Sequence, residues 1–470
     1  MRRTPNSGRG RLSPPKSDSS AAGERRRGRD NPKAPAHERK PRSTGLVKSA
    51  NFRRFEKPEK FDTAAKNAIT QTVKFGGFVR SGKAAGFAER LAEIPSGPAL
   101  RLTRNIYIAH TQPGFESVAA EEITSRCAAA AAGPPGRAPA IRELGQRTVP
   151  ERAGMTIFSA PRPDPLAAAR TIEDLFALAG YRDGLGTAPA TLEKVRRTAQ
   201  DAPYVEEALE ARVRMTPGSR AGRRLSFRVI ARIAGAHEFR RLDFQRAVER
   251  GIADRIDHSW RPAGDDADVE FWATLLGGEM FLAVRLVDER MRHREYKVAH
   301  RPGSLRASVA AALGWLSGPG ADDCVVDPMC GAGTILIERA HFGRYAMLAG
   351  FDRDTGAIAA AHENIGPRYR PIGIALGDAL RLPLRSGAAT HLVTNLPWGT
   401  KYGSHGENRR LYPRLLEEFA RVVRPGGRLI MLTAERMLMR EVLGLGLVRA
   451  ESVRRVTILG APAAIYVCRA

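Results

Sequence analysis

The chain has 470 residues, too many for one hydrophobic core, and its length points to two or three domains. Lys and Arg number 76 against 50 Asp and Glu, a net charge of +26, of which +14 lies in residues 1–100 (23 basic, 9 acidic). Such a field attracts polyanions, nucleic acid first, whereas no amphipathic basic helix, lipidation signal or apolar run of about 20 residues argues for a membrane.

Residues 1–100 are rich in Arg, Ser, Pro and Gly, and read as a basic, largely disordered tail with one short helix over 83–94. Order is expected from Asn105: a strand, a turn at Pro113-Gly114 and a helix to Cys127. A strand at 155–160, a helix over 165–178 and a helix over 204–214 follow. Residues 225–235 alternate Leu225, Phe227 and Val229 with Arg224, Arg228 and Arg232, which predicts a half-buried strand. A helix over 239–257 leads to a hairpin, 268–278 and 279–289, turning at Gly277-Gly278.

From Gly303 the pattern changes. Short apolar strands at 324–328, 346–352, 372–378, 391–397 and 428–434 alternate with helical stretches at 334–342, 355–364 and 409–424. That rhythm predicts a doubly wound, mostly parallel α/β sheet. Arg424-Pro425-Gly426-Gly427 reads as a sharp connection from the last helix to the last of these strands. The four cysteines, Cys127, Cys324, Cys330 and Cys468, have neither metal-ligand nor redox spacing, so no metal and no disulfide framework are expected. With no apolar run behind the basic start, a secretory signal is not expected either, and the chain reads as cytoplasmic.

The strongest chemical signal is CVVDPMCGAGTILIERA (324–340). An apolar strand ends in Asp327-Pro328, passes Gly331 and Gly333, and opens a helix at Thr334. Glycines let a ligand approach the backbone, and the helix start offers free N–H groups at a strand's carboxyl end. The turn lacks the third glycine of a dinucleotide fingerprint, and Asp327 would repel a pyrophosphate. It suits the ammonium of S-adenosylmethionine. Asp352 ends the next strand, about 20 residues on, where an acid accepts ribose hydroxyls. Asp378 ends the third, placed for an adenine amino group, while Asp354 reads as a helix cap. The fourth strand ends Asn395-Leu396-Pro397-Trp398, an amide, a carbonyl and an aromatic plane in one turn. Those are the groups that methylation of an exocyclic amine requires, Asn395 and Leu396 accepting from its N–H groups and Trp398 stacking on the base. His405, Glu407 and Asn408 fall on the following loop, where residues are commonly solvated but can face substrate.

DPMCGAGTILIE, TNLPWG and LYPRLLEEFARVVRPGGRLIMLT resemble the THUMP-domain tRNA guanine-N2 methyltransferases, as do ERMRHREYK (289–297) and HRPGSLRASVAAAL (300–313). The resemblance implies a Rossmann-like methyltransferase with an antiparallel final strand at 299–470, a ferredoxin-like part at 101–200 and a THUMP RNA-binding domain at 201–298. It implies that Asp327, Gly331 and Gly333 line the methionine end of S-adenosylmethionine, Asp352 its ribose and Asp378 with Ala379 its adenine, with Pro328, Thr334 and Asn395 also at the cofactor. Asn395 to Trp398 would hold guanine N2 in the tRNA acceptor-stem region, with Ser304, Arg306 and Ser308 touching cofactor or substrate. Arg223, Arg224, Arg228, Arg232, Arg240 and Arg241 would face phosphate. Trp398 departs from the family's usual Tyr or Phe, a larger ring that should stack at least as well. No obligatory protein partner is implied. Two other readings share these motifs, adenine-N6 or rRNA guanine-N2 methylation, and a nucleic-acid-binding protein whose methyltransferase fold has lost its activity.

Overall fold

The computed structural model describes residues 98–130, 141–150, 152–216, 218, 224–256, 259–369, 371–399 and 404–470. The expected basic tail with its short helix, and Arg223, lie outside these residues.

The first sheet is built from β1 (Ile106–Thr111), β2 (Arg142–Val149), β3 (Ala153–Ser159), β4 (Asp174–Arg182), β5 (Ser226–Ala234), β6 (Arg261–Pro262), β7 (Val269–Leu276) and β8 (Glu279–Arg285). Their order is β2-β3-β1-β4-β8-β7-β5-β6. All neighbours are antiparallel except β5 with β6 and β7. Hydrogen bonding crosses the expected boundary at residue 200 without a break, because β4 pairs with β8. Helices α1 (Glu116–Ala130), α3 (Thr191–Gln200), α4 (Val205–Met215) and α5 (Arg241–Arg255) follow their strands. Phe227, Val229 and Ala231 of β5 bury against Phe244, Val248 and Ile252 of α5. The alternate residues of β5 face the other way, so Ile230 packs with Trp272 and Phe176.

One expectation fails here. The helix expected over 165–178 is a single turn, α2 (Asp164–Ala167), and from Asp174 the chain forms β4. Residues Asp174 to Gly180 are all buried in mid-sheet, and a continuous apolar run satisfies either period. Strand β2 and helix α3 were not foreseen: β2 is partly exposed and shows no clean alternation.

The second sheet has the order β11-β10-β9-β12-β13-β15-β14. Its strands are β9 (Cys324–Asp327), β10 (Met347–Asp352), β11 (Ile372–Leu376), β12 (Ala389–Asn395), β13 (Val423–Thr433), β14 (Arg449–Ile458) and β15 (Ala461–Arg469). The first five are parallel, and β15 runs antiparallel between β13 and β14, in keeping with the expected antiparallel final strand. Helices α6 (Ala307–Leu316), α7 (Thr334–Ala340), α8 (Thr355–Ile365), α9 (His405–Val422) and α10 (Arg436–Leu443) cover it. Successive residues bury on opposite faces: Val325, Val393 and Ile430 beneath α6 and α7, Val326, Leu392 and Leu429 beneath α9 and α10. Arg424 to Gly427 do not form a free-standing turn. Strand β13 begins at Val423 and passes through them, with a register shift against β12 between Ala389 and His391.

The two sheets meet through main chain and buried charge. Gly114 has φ +89°, and a Cβ there would lie 2.6 Å from the Arg455 carbonyl oxygen, so only glycine lets this turn rest on β14. Beside it, Thr457 N donates to Pro113 O at 3.0 Å. Glu338 of α7, fully buried, accepts from Arg170 Nε (2.5 Å), Arg170 Nη2 (3.1 Å) and Tyr296 Oη (2.7 Å), with Arg294 at 3.7 Å. Burial, opposed by the Glu338 carboxylate, leaves Arg294 below its ordinary value, while burial beside Glu338 pushes the Tyr296 hydroxyl well up. Removing one partner of such a group strands the others. Glu338→Gln should therefore cost about 3 kcal/mol in urea unfolding; a loss below about 0.5 kcal/mol, the level of an unremarkable surface substitution, would show that the knot carries no stability.

Candidate active site at the strand reversal

In a doubly wound sheet, ligands bind beyond the carboxyl ends of the strands where the winding reverses. Here that point lies between β9 and β12, which pair directly, Leu392 beside Val326. Asp327 ends β9, Asp352 ends β10, Asp378 follows β11 and Asn395 ends β12. The four side chains therefore share one edge of one sheet.

Asp327 is 1 % exposed. Its Oδ1 accepts from Met329 N at 3.3 Å, and its Oδ2 has no hydrogen-bond partner. Burial raises its pKa to about 7; the Thr394 hydroxyl and the Met329 N–H pull the other way, and the Asp352 charge adds to the rise. The Thr394 oxygen itself finds no hydrogen-bonding geometry. A buried carboxylate oxygen without a donor is unstable alone and stable against a cation, which is what a ligand's ammonium group supplies.

The turn above it is open. Gly331 has φ +53°, and a Cβ there would meet no atom within 4 Å, so the backbone is exposed to a ligand's approach. Gly331 N donates to Asp352 Oδ2 at 2.9 Å, and Asp352 Oδ1 accepts from Asp354 N at 3.0 Å. Each oxygen keeps a further lone pair for hydroxyl groups. Gly333 precedes α7 at φ +76°, leaving the N–H groups from Thr334 onward at the site. Asn364 of α8 braces the turn, its Nδ2 donating to Ala332 O at 3.0 Å and Ala299 O at 3.1 Å. Asp354 caps α8 as read from sequence, accepting from Gly356 N and Ala357 N. Asp378 is exposed and Ala379 buried beside it; Asp378 Oδ1 accepts from Leu380 N at 3.0 Å.

Beyond β12, Trp398 Nε1 donates to Asn395 Oδ1 at 3.0 Å, so the indole fixes which way the amide faces. The turn is held from below. Pro397 O accepts from Tyr412 Oη at 2.6 Å and from Asn408 Nδ2 at 3.1 Å. Tyr412 also bonds Thr433 at 2.7 Å, and burial pushes its hydroxyl well up, keeping the proton it donates. Asn408 reaches Glu435 as well, and His405 Nδ1 lies 2.7 Å from Glu435 Oε2. His405, Asn408 and Tyr412 stand on α9, which starts at His405 rather than 409 because Ser404 caps it, accepting from Glu407 N at 3.2 Å. Asn408, 1 % exposed, thus supports the turn rather than facing solvent. Tyr412, Thr433 and Glu435 carried no local signal that could have found them.

Other expected site residues lie elsewhere. Arg306 and Ser308 both reach Glu173 of the first sheet, Ser308 Oγ at 2.8 Å, and so line the junction between the sheets. The arginine set divides. Arg228 is neutralised by Glu270 and Asp265, and Arg232 lies with it on the face of β5 turned away from α5. Arg240 and Arg241 stand at the start of α5, which packs on the opposite face, and Arg241 is engaged with Gln245. Arg224 is exposed just before β5.

Residues 294–462 match the family model UPF0020: RMKL-like, methyltransferase domain. A Bos taurus protein named tRNA (guanine(6)-N(2))-methyltransferase THUMP3 is 32% identical over 263 residues, 52% of this chain and 51% of that one. The chain is similar to guanine-N2 methyltransferases named THUMP3. It spans about half the length of the THUMP3 relatives it matches. A shorter relative, the tRNA (guanine(6)-N2)-methyltransferase of Thermus thermophilus, is 30% identical over 46% of this chain and 65% of its own. Among solved structures, TrmN from Thermus thermophilus superposes with a TM-score of 0.60 at 23% identity, covering 77% of this chain and 99% of that one, which establishes the shared fold.

The matched stretch contains every residue of the strand-end site, the stranded Asp327 carboxylate among them. Its raised value gives a pH test. Between about pH 4 and pH 7 the native state holds a proton that the unfolded chain has released, so stability falls as pH rises through that window. Asp327→Asn abolishes this term. In urea melts without ligand, the variant should gain on the wild type between pH 5 and pH 8; a constant difference would show the carboxyl to be unperturbed.

Proposed function

We propose that this chain transfers a methyl group from S-adenosylmethionine to the exocyclic N2 of a guanine in tRNA, in the acceptor-stem region. The observation that carries the reading is the pairing of an orphaned buried carboxylate at Asp327 with an amide at Asn395 on the adjacent strand. One suits a sulfonium amino acid and the other an exocyclic amine. The relatives' names, both guanine-N2 methyltransferases of tRNA, support the choice of base. In this reading residues 101–200 form a ferredoxin-like part, 201–298 a THUMP RNA-binding domain and 299–470 the methyltransferase domain.

Asp327 Oδ2 would take the ammonium of the cofactor, with Pro328, Gly331, Gly333 and Thr334 around its methionine end, Asp352 at the ribose and Asp378 with Ala379 at the adenine. The bound cofactor supplies an electrophilic methyl group on a sulfonium. The protein's task is the amine. A guanine N2 lone pair is delocalised into the ring, and N–H bonds to Asn395 Oδ1 and the Leu396 carbonyl favour the pyramidal, nucleophilic form. A carbonyl oxygen has two lone pairs, so Asn395 can accept the amine while Trp398 Nε1 keeps its own bond. The Trp398 ring stacks on the extruded base, and Pro397, pinned by Tyr412 and Asn408, holds that ring in place. Methylation makes the nitrogen acidic, so its proton passes to water without a strong base.

Asn395→Ala should leave cofactor affinity within about two-fold while cutting the chemical step about 10²-fold, as loss of an oxyanion-type partner does elsewhere. Single-turnover transfer to bulk tRNA, beside calorimetry with the cofactor, reads both, and near-normal turnover would remove Asn395 from the chemistry. Trp398→Phe separates stacking from positioning. The ring survives and the indole bond is lost, so kcat should fall about five-fold, the worth of one neutral hydrogen bond, with tRNA affinity held. A fall in affinity alone would assign Trp398 to binding only.

A further inference from the structure

A cleft of about 260 Å³ opens where the first sheet meets the second, between the ends of β1 and β5, the start of β4, the N-terminus of α6 and the β14–β15 hairpin. Four arginines line it, Arg152, Arg232, Arg292 and Arg306, against two carboxylates, Glu173 and Asp174. Both carboxylates are already engaged. Asp174 is held by Arg285 (2.8 Å) and by Arg292, and Glu173 accepts from Ser308 (2.8 Å), Gln112 (2.8 Å) and Arg306 (3.3 Å).

Arg232 is left over. Its guanidinium carbon stands 4.6 Å above the Trp272 ring, yet its buried Nη1 finds no acceptor, and neither does the buried Nε of Arg292. Burial, then the charges of Arg292 and Arg152, pull Arg232 down to about 10. The cleft's His110 is driven well below its ordinary value by burial and then by Arg232, Arg292 and Arg285, so it stays neutral and adds no competing charge. A desolvated cation beside other cations is costly until an anion reaches it, and the planar fork of a guanidinium matches phosphate oxygens.

We propose that this cleft is a phosphate-binding site in which Arg232 and Arg152 grip one phosphate group at the junction of the two sheets. Resting on the functional reading above, the source of that phosphate is the backbone of the bound RNA. Arg228, Arg240 and Arg241, which the sequence had grouped with Arg232, take no part in it.

The test uses the full chain and two variants, Arg232→Gln and Arg152→Gln. Affinity for bulk tRNA is measured between 50 and 200 mM salt, and melting temperature in inorganic phosphate against chloride of equal ionic strength. Each variant should weaken tRNA binding about ten-fold and lower the salt slope by about one, with cofactor affinity unchanged. If Arg232→Gln does not fold, the exposed Arg152 position decides alone. Wild-type tRNA affinity and salt slope in the variants, with no phosphate-specific stabilisation of the wild type, overturn the site. Unchanged tRNA binding with a phosphate-specific stabilisation that the variants lose keeps the phosphate site and assigns it to the free ion. Methyl transfer is scored separately: a wild type that binds tRNA without methylating it removes the functional reading and leaves the cleft's test intact.

Discussion

The geometry of the molecule hangs on the carboxylate of Glu338. It sits one turn into α7, the helix that opens directly from the Gly331–Gly333 turn, and every group that holds it comes from outside the second sheet's own strands and helices. Arg170 belongs to the first sheet's loop before β4, while Arg294 and Tyr296 lie on the connection between the sheets. Arg170 is fixed in turn, since Glu122 of α1 accepts from its main-chain N–H at 2.9 Å and from Thr171 N and Oγ1. A rigid path thus runs from α1 through the 170–171 backbone to Glu338 and so to the Gly331–Gly333 turn. Apolar packing of the same volume could stabilise the contact equally well. It would not fix register, because dispersion is indifferent to small slides and bidentate hydrogen bonds are not.

That rigidity matters because the site is assembled from two directions. Carboxylates arrive on β9, β10 and after β11, and the amide arrives on β12 from across the reversal. Within the second sheet, main-chain pairing sets their spacing. Under the proposed function, a polynucleotide held on the first sheet would have no such tie, and its base would reach Asn395 only if the first sheet kept a fixed distance from α7. Glu338 supplies that distance at one place, and the Pro113–Thr457 main-chain bond with the close approach of Gly114 to β14 supplies it at a second.

Much of the second sheet was legible in the sequence, for a physical reason. Parallel strands buried on both faces are short apolar runs, and their ends carry the polar residues that ligands need, so Asp327, Asp352, Asp378 and Asn395 announce themselves by position. The first sheet was read less well. The stretch Asp174–Arg182 satisfies helix and strand periods equally, and only pairing with β1 and β8 decides between them. Partners distant in sequence were invisible. Arg228 reads as a phosphate ligand until Glu270, 42 residues away, is seen beside it, and Asn408 reads as a loop residue until the Pro397 carbonyl comes within reach.

What the sequence could not show at all is where charge is left unbalanced. Asp327 Oδ2 and Arg232 Nη1 are both buried, both without a protein partner, and opposite in sign. Each costs the folded chain stability that an apolar residue would not, and neither helps pack a core. Most other buried charges among the described residues, Asp174, Glu279 and Arg147 for instance, are paired. A fold that pairs those with care and strands these two has kept one place for a cation and one for an anion. A cofactor bearing an ammonium group and a nucleic acid bearing phosphate are molecules that would complete both.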